Sequence, residues 1–451
     1  MSDASKTTDP ATLTATDAAK RLASGALTAE ALTAACLARI RLRDADVEAW
    51  AHFDASKVMA EAKASDAARK RGEKPGPLAG IPVAIKDIID TADYPTEHGT
   101  PVFAGRQPEK DASLVAQLKS AGATIFGKTV TTELAFFGPG KTKNPHNPGH
   151  TPGGSSSGSA AAVADFQVPL SIGTQTAGSL IRPASYCGVI GFKPTFGAVS
   201  RTGVLEQSAP LDTIGGYARS VEDIALLMDA ISGFDATDAD MTAGPRLSLV
   251  AELAKPAARA PRFAFITSPA WPQADDDARR AYQDFAQKCG ARTSVVEVPL
   301  PEDFDGSLRL QQIVQFSDIA KNYGPIAGAN PNTISAKLAE IIAEGRTFSQ
   351  ADYVSARAAA DPLYESLQSL MRGFDAILTP AAQGVALKGL GSTGSPMFNA
   401  LWTYLGMPAI SLPLLNVKGL PLGVQLVGRR GEDGALLRAA AWMMREFAPI
   451  A

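Results

Sequence analysis

The sequence predicts an α/β protein in which helices flank a large β-sheet that is mostly parallel or mixed. The main observation is that stretches of helical periodicity alternate with short apolar stretches along the 451 residues. Apolar residues make up 45% and charged residues 20% of the chain, which is ordinary for a globular protein and excludes extensive disorder. The length allows either two or three small domains or one large α/β unit.

Charge and cysteine content exclude several classes of function. The 43 basic and 46 acidic residues give a net charge of −3, which argues against nucleic acid or an anionic membrane as the main partner. Three widely spaced cysteines (Cys36, Cys187, Cys289) suit neither a disulfide framework nor a tetrahedral zinc site. Residues 1–10 do not resemble a secretory signal, and no run of about 18 apolar residues could span a bilayer. We therefore expect a soluble cytoplasmic protein.

The N-terminal part is predicted to be helical before the first strand begins. Apolar spacing at 31–40 indicates an amphipathic helix with Thr28 as its N-cap, and a further helix covers about 55–71 before a Pro/Gly-rich breaker. The apolar stretch 78–85 predicts a buried strand that stops at Lys86.

The elements after this strand follow from the same patterns. Small residues dominate 155–191, but apolar residues within that stretch argue against a flexible linker. The turn-rich stretch 235–246 is the best candidate for an insertion or a subdomain edge. The remaining predicted elements are a helix at 112–121, a strand at 123–126, a helix at 220–231, a strand–helix–strand unit at 262–298, three helices, strands at 374–379, 409–414 and 422–427, and a last helix from 433.

Residues 122–129, GATIFGKT, match the P-loop pattern of nucleotide-binding proteins. A functional P-loop follows a strand and opens a helix, so that its backbone amides can bind phosphate. Here the order is reversed, because Gly122 closes a helix and the residues after it have the character of a strand. We therefore expect no nucleotide binding.

Residues 154–158, GSSSG, match the G-x-S-x-G motif of α/β-hydrolases. That motif follows a strand, whereas a Pro-, Asn- and Gly-rich loop precedes it here. Its histidine also follows the serine along the chain, and all four histidines of this sequence precede Ser156. A triad of that type cannot form in this order. The histidines also lack metal-ligand spacing on a helix, so we expect no metal and no cofactor.

Three segments combine residue types suited to acyl transfer: the strand ending at Lys86 and the stretches 152–164 and 173–185. A lysine at the end of an apolar strand can be desolvated, which lowers its pKa and lets it act as a base. Serine needs such a base to become a nucleophile. Small residues just before Ser179 would let backbone N–H groups converge on the oxygen of a tetrahedral intermediate. Each segment alone suits an ordinary turn or a solvated lysine, but their combination is specific.

The combined segments resemble the amidase-signature family, most densely at 76–195 and again at 374–380 and 398–428. The resemblance implies an α/β/α fold with a large mixed sheet. The implied organisation is a single domain over 1–451, with an N-terminal helical segment at 1–75, a catalytic region at 76–235, and a C-terminal part at 236–451 that completes the sheet and the substrate pocket.

The family uses a Ser–cis-Ser–Lys triad, and its motifs match three residues here. Lys86 in GIPVAIKD matches the family lysine, Ser155 matches the bridging serine, and Ser179 matches the nucleophile. The resemblance implies a cis peptide bond before Ser155. It also implies that neutral Lys86 accepts a proton relayed from Ser179 through Ser155, so that Ser179 forms an acyl-enzyme that water then hydrolyses.

The residues around the nucleophile depart from the commonest family pattern. Gln175 replaces an acid and Ala177 a glycine, although backbone amides of Thr176, Ala177 and Gly178 are still expected to hold the oxyanion. The segment GTQTAGSLIRP is similar to the malonamidase-like branch, which implies that Arg182, three residues after the nucleophile, binds a substrate carboxylate. The alternative, that Arg182 only ties the loop to a nearby carboxylate, stays open.

The resemblance predicts hydrolysis of a linear, non-peptide amide in a small molecule, with release of ammonia or an amine. The second hypothesis is the glutaminase (A) subunit of a tRNA-dependent amidotransferase, which works with partner subunits and passes ammonia onward. The third, a catalytically inactive binding module, is disfavoured by the intact set of Lys86, Ser155 and Ser179. We expect the chain to bind a small-molecule amide, and neither nucleic acid nor a membrane. Whether it forms a homodimer is left open.

Overall fold

The computed structural model describes residues 9–241, 243–244, 246–256 and 259–448. Most of residues 1–10, the stretch that does not resemble a secretory signal, therefore lies outside the described residues. The described strands are β1 (Trp50–Phe53), β2 (Pro82–Lys86), β3 (Thr124–Thr129), β4 (Leu170–Gln175), β5 (Ile190–Lys193), β6 (Thr213–Ala218), β7 (Phe263–Phe265), β8 (Val295–Glu297), β9 (Ala376–Pro380), β10 (Ala409–Val417) and β11 (Leu420–Val427).

Helices alternate with these strands along the chain. They are α1 (Ala15–Ser24), α2 (Ala29–Val47), α3 (Ala55–Lys70), α4 (Ser113–Ser120), α5 (Ser157–Ala164), α6 (Ile181–Cys187), α7 (Val221–Ile231), α8 (Leu249–Leu253), α9 (Asp276–Gly290), α10 (Ser307–Ala329), α11 (Ala336–Gly345), α12 (Gln350–Ala358), α13 (Ala360–Leu370), α14 (Met397–Tyr404) and α15 (Asp433–Phe447). Within the described residues, none of these helices combines the length and apolarity needed to cross a bilayer.

The strands form one mixed sheet in the order β1-β3-β2-β4-β6-β5-β10-β11-β9-β7-β8. Strand β2 runs parallel to β3 and β4, and β7 runs parallel to β8 and β9, whereas β4, β6, β5, β10, β11 and β9 pair antiparallel in turn. Strands β2, β3 and β4 are buried along their whole length, as expected of parallel strands covered by helices. The predicted α/β fold with a large mixed sheet is confirmed.

The N-terminal segment is not entirely helical, contrary to the prediction. Residues 50–53 form the edge strand β1, which pairs antiparallel with β3. The rings of Trp50 and Phe53 lie 6.2 and 6.0 Å from that of Phe126 on β3. Strand preference depends on such contacts with a neighbouring strand. The local sequence pattern around residue 50 therefore did not reveal strand β1.

Strands β4, β5 and β6 and helices α5, α6, α8 and α14 were also missed. Strand β6 contains Gly215, where a β-carbon would lie 2.0 Å from the carbonyl oxygen of Phe192 on β5. Glycine weakens the strand signal in a sequence, but here it permits a close approach between neighbouring strands. The segment predicted as three helices contains four, α10 to α13, because α12 and α13 meet at Ala359 without an intervening loop.

Several predicted boundaries also shift. The strand predicted at 78–85, which is β2, begins at Pro82 rather than at residue 78, because Gly80 has a φ of +78° and turns the chain. Strand β3 extends to Thr129, since it gains a partner on each side. The turn-rich stretch 235–246 lies between α7 and α8, and its Asp238 pairs with Arg201 at 2.7 Å. Residues 242 and 245 of that stretch lie outside the described residues.

Candidate active site

Lys86 is the last residue of β2 and has no exposed surface. Burial lowers the pKa of its ammonium group to about 7, against the opposite effect of the nearby Asp212 carboxylate. Its Nζ lies 2.7 Å from Ser155 Oγ and 2.7 Å from Thr174 Oγ1. Both hydrogen-bond partners are neutral hydroxyl groups, an environment in which a lysine can lose its proton near neutral pH.

Ser155 is the one of three consecutive serines that contacts Lys86. Ser156 Oγ donates to the carbonyl of Thr174 at 3.2 Å, and Ser157 Oγ donates to the carbonyl of Gly153 at 3.0 Å. The peptide bond between Gly154 and Ser155 is cis, as predicted. The structure therefore brings the predicted bridging serine, and not its neighbours, to the lysine.

Ser179 lies in the connection between β4 and α6 and is half-buried. Its carbonyl oxygen accepts a hydrogen bond of 3.1 Å from the Tyr217 hydroxyl. Gln175, whose role the sequence left in doubt, binds the start of α6: its Oε1 accepts from the N–H groups of Leu180 and Ile181 at 2.9 and 3.0 Å. A neutral amide thus satisfies N–H groups that have no partner within the helix, and it fixes the turn that carries Ser179.

The three residues before Ser179 are held from several sides. Thr176 Oγ1 donates to Asp212 at 2.5 Å, and the carbonyl of Ala177 accepts from Thr403 Oγ1 at 2.8 Å. A β-carbon on Gly178 would lie 2.6 Å from Asn399 Oδ1, so only glycine fits there without a shift. Residues 176–179, called the nucleophile loop after the role predicted for Ser179, are therefore fixed in position.

Asp212 and Thr174 belong to this site, although the sequence analysis missed both. Asp212 also accepts from the N–H groups of Gln207 and Ser208 at 2.7 and 3.0 Å, and burial raises the pKa of its carboxyl group to about 6. The sequence offers no local signal for Asp212. Thr174 could have been found, because the carboxyl ends of the parallel strands β2 and β4 must lie at the same edge of the sheet.

Arg182 is 2% exposed and binds backbone carbonyls rather than a carboxylate. Its Nε donates to the carbonyl of Thr393 at 2.7 Å, and its Nη2 donates to the carbonyl of Gly154 at 2.6 Å. Its Nη1 is buried without a hydrogen-bond partner among the described residues, next to Gly178. Burial lowers the pKa of the guanidinium to about 10, which leaves it charged near neutral pH.

Two cavities of about 320 Å³ each bear on this region: one reaches Thr176, and the other is lined by Pro396, whose Cα would lie 3.1 Å from a β-carbon on Gly178. The acidic cavity reaches Thr174 and Thr176, and its charged lining consists of Arg201, Glu206, Asp212, Asp238 and Asp240. The second cavity is lined half by apolar residues (Phe137, Phe316, Ile341, Pro396 and Met397) and half by polar or charged ones (Gln311, Gln312, Gln315, Lys337 and Glu344). No cluster of three or more His, Cys, Asp or Glu side chains that could hold a metal ion occurs among the described residues.

The P-loop-like stretch is part of the sheet. Its last six residues form β3 directly after α4, in the reversed order that the sequence indicated. Lys128, the lysine of that pattern, is buried and lies 3.4 Å from the carboxylate of Asp87. It is therefore not exposed on a loop where it could bind phosphate.

Comparison with known proteins gives consistent matches over nearly the whole chain. A family model described as Amidase matches residues 31–437. The chain is 34% identical to the A subunit of glutamyl-tRNA(Gln) amidotransferase from Anaeromyxobacter sp. (strain K), over 96% of each chain. Among solved structures, peptide amidase from Stenotrophomonas maltophilia is 28% identical with a TM-score of 0.84, over 96% of this chain and 97% of that one.

A second solved structure is also similar. It comes from a vestigial protein complex that bears on the evolutionary origins of an s-triazine catabolic enzyme. Its chain is 29% identical with a TM-score of 0.88, over 96% of this chain and 98% of that one. None of these matches singles out the malonamidase-like branch, which stays a prediction.

Proposed function

Because the chain belongs to the amidase-signature family of C–N bond hydrolases, we propose that it cleaves an amide through an acyl-enzyme on Ser179. The observation that carries this proposal is the 2.7 Å hydrogen bond between the buried Nζ of Lys86 and Ser155 Oγ. A lysine with a pKa of about 7 is largely neutral at pH 8, by about ten to one. It can then accept a proton, which is what a serine nucleophile requires of its base.

In the proposed first half-reaction, Ser179 passes its hydroxyl proton to Ser155 while Ser155 passes its own to Lys86. Ser179 Oγ bonds to the amide carbon, and backbone N–H groups of the nucleophile loop hold the oxyanion. Collapse of this intermediate breaks the C–N bond, and Lys86 returns its proton through Ser155 to the departing nitrogen. Water then attacks the ester by the same relay in reverse, releasing the acid and regenerating Ser179.

The second candidate is the glutaminase component of a tRNA-dependent amidotransferase. The curated relatives favour it, since the protein that is 34% identical over 96% of both chains is named as the A subunit of such an enzyme. The curated relatives fit a glutaminase component better than a stand-alone amidase. The similarity to peptide amidase supports the first candidate. The chemistry proposed for Ser179 is the same in both cases. They differ in the amide that is cleaved and in the need for partner subunits.

Labelling of Ser179 with a phosphonofluoridate, combined with ammonia release from a panel of amides, tests the proposal. We expect the wild-type protein to be labelled once per chain and Ser179→Ala not to be labelled. Equal labelling of both would contradict the assignment of the nucleophile. Glutamine turnover that appears only with a co-purified partner protein would favour the second candidate over the first.

A further inference from the structure

Thr403 on α14 binds the nucleophile loop from a segment that is distant in the sequence. Its Oγ1 donates to the carbonyl of Ala177 at 2.8 Å, across 226 positions of the chain. The same Oγ1 lies 3.1 Å from the carbonyl of Asn399, one turn earlier in α14. A hydroxyl has a single hydrogen to donate, and the contact with the loop is the shorter of the two. Thr403 is 1% exposed, so water does not compete for this hydrogen bond.

Gln175 determines the direction in which this hydroxyl donates. The Oε1 atom of Gln175 accepts from the N–H groups of Leu180 and Ile181. Its Nε2 therefore faces Thr403 and donates to the Oγ1 of that residue at 2.9 Å. Because Oγ1 accepts this bond, its own hydrogen is left for a carbonyl. An ionised carboxylate at position 175 could only accept, and it would draw the Thr403 hydrogen away from Ala177.

The hydrogen bond to Ala177 fixes the orientation of one peptide group. The peptide bond between Ala177 and Gly178 is trans, and in a planar trans peptide the C=O and N–H point in opposite directions. Since Thr403 holds the carbonyl, the Gly178 N–H points away from Thr403. This N–H donates to no backbone carbonyl among the described residues. It is therefore available to an oxygen of a bound substrate.

Glycine at position 178 makes such a restraint necessary. A β-carbon there would lie 2.6 Å from Asn399 Oδ1, so a larger residue does not fit without a shift. Glycine also allows more backbone conformations than any other residue, and it would let the peptide group before it rotate. The Gly178 N–H is one of the amides expected to hold the oxyanion. Rotation of this peptide group would remove a donor from the transition state.

We propose, on the basis of the acyl-enzyme function above, that Thr403 is a positioning residue for the oxyanion. Its hydroxyl, directed by Gln175, holds the peptide group between Ala177 and Gly178 so that the Gly178 N–H faces the oxygen of the tetrahedral intermediate. The negative charge on that oxygen develops as the transition state forms, so the contact acts mainly there. Loss of the Thr403 hydroxyl should therefore lower kcat more than it raises KM.

Valine at position 403 tests the role of the hydroxyl, with serine as the conservative variant. Thr403→Val replaces the hydroxyl with a methyl group of similar size, whereas Thr403→Ser keeps the donor. With the best amide of the panel, we expect kcat to fall by about ten- to a hundredfold in Thr403→Val, with KM changed by less than about threefold. Thr403→Ser should stay within about threefold of the wild-type kcat. Ammonia release is the measurement, and an equal loss in both variants would show that the hydroxyl has no such role.

Thr379 provides a matched control outside the nucleophile loop. Its Oγ1 donates to the carbonyl of Ile266 at 2.8 Å, and the residue is 1% exposed, so Thr379→Val removes the same kind of buried hydrogen bond. We expect Thr379→Val and Thr403→Val to lower the melting temperature by similar amounts, and only Thr403→Val to lose kcat. Equal kcat losses in the two valine variants, or a Thr403→Val kcat within about twofold of wild type, would overturn the inference.

The rate of labelling by the phosphonofluoridate gives a measurement that does not depend on the amide chosen. Its phosphoryl oxygen gains negative charge as Ser179 attacks, so the rate constant should fall by about tenfold in Thr403→Val and stay near wild type in Thr379→Val. If Thr403→Val does not fold, Thr403→Cys takes its place. A thiol is a weaker donor than a hydroxyl, so Thr403→Cys should be labelled more slowly than Thr403→Ser. Equal rates for these two variants would contradict the proposed role.

These measurements separate failure of this inference from failure of the proposed function. If the wild-type protein is not labelled at Ser179 and hydrolyses no amide, the acyl-enzyme proposal itself is wrong. If the wild-type protein is labelled and Thr403→Val is labelled at the same rate, only the role of Thr403 is wrong.

Discussion

Two buried lysines on neighbouring parallel strands of the same sheet have different surroundings. Lys86 on β2 and Lys128 on β3 both have no exposed surface. Burial lowers the pKa of Lys86 to about 7 and that of Lys128 to about 8. Lys86 binds two hydroxyls. Lys128 binds one, that of Thr96 at 2.5 Å, but it also lies 3.4 Å from the Asp87 carboxylate and donates to the carbonyl of Ile89 at 2.7 Å.

This difference shows that burial alone does not make a lysine a base. The Asp87 carboxylate favours the charged form of Lys128, whereas the described hydrogen-bond partners of Lys86 are both neutral hydroxyls. The hydroxyl of Ser155 can both accept and donate, so it can carry a proton to Lys86. We therefore expect the Lys86 region to serve catalysis and the Lys128 region to serve stability.

The largest effect should come from the nucleophile of the Lys86 region. Ser179→Ala removes the atom proposed to form the acyl-enzyme, so we expect kcat to fall by about 10⁴-fold or more. Ammonia release from the best amide of the panel measures this loss. Turnover within tenfold of wild type would place the nucleophile elsewhere.

Replacing each lysine with methionine tests the comparison directly. Lys86→Met removes the base but keeps a buried apolar chain, so we expect kcat to fall by about 10²–10⁴-fold with little loss of stability. Lys128→Met leaves the Asp87 carboxylate buried without its partner, so we expect a loss of about 3–5 kcal/mol in the free energy of unfolding.

Turnover per phosphonofluoridate-labelled site and denaturant unfolding provide the two measurements. In Lys128→Met, turnover per labelled site should stay close to that of wild type. If both variants lost activity to the same extent and kept their stability, the distinction between the two regions would be wrong.

Ser155→Ala and Ser157→Ala remove the same group, a serine hydroxyl, at positions two residues apart. Ser155→Ala should lower kcat by about 10²-fold, less than Ser179→Ala, because a water can partly replace the relay. Ser157→Ala removes only a hydrogen bond to the Gly153 carbonyl, so about 1 kcal/mol of stability should be lost and kcat kept. A larger kcat loss in Ser157→Ala than in Ser155→Ala would contradict the relay.

The pH profile should show the smallest effect. In the proposed mechanism the neutral form of Lys86 is the active one, and its pKa is about 7, so kcat/KM should fall by about tenfold between pH 8 and pH 6. The acidic limb should move to lower pH in Asp212→Asn, since the Asp212 carboxylate raises the pKa of Lys86. A wild-type profile that is flat over this range would argue against a lysine base.

Much of the site could be predicted because its signals are local. The apolar stretch before Lys86 and the small residues before Ser179 each lie within about ten residues, and the structure brings Lys86 to Ser155 as expected. Asp212 escaped notice because its contact with Thr176 joins residues 36 positions apart. Such contacts leave no periodicity in the chain.

The sequence by itself determined the alternation of helices and strands, the buried strand that ends at Lys86, and the glycine and serine positions, since these depend on local hydrophobicity and backbone freedom. The tertiary structure decided which serine meets Lys86, that Lys128 faces a carboxylate, and that backbone carbonyls occupy Arg182. The physical reason is that the pKa and the role of a buried polar group depend on its partners, and those partners come from distant strands and loops.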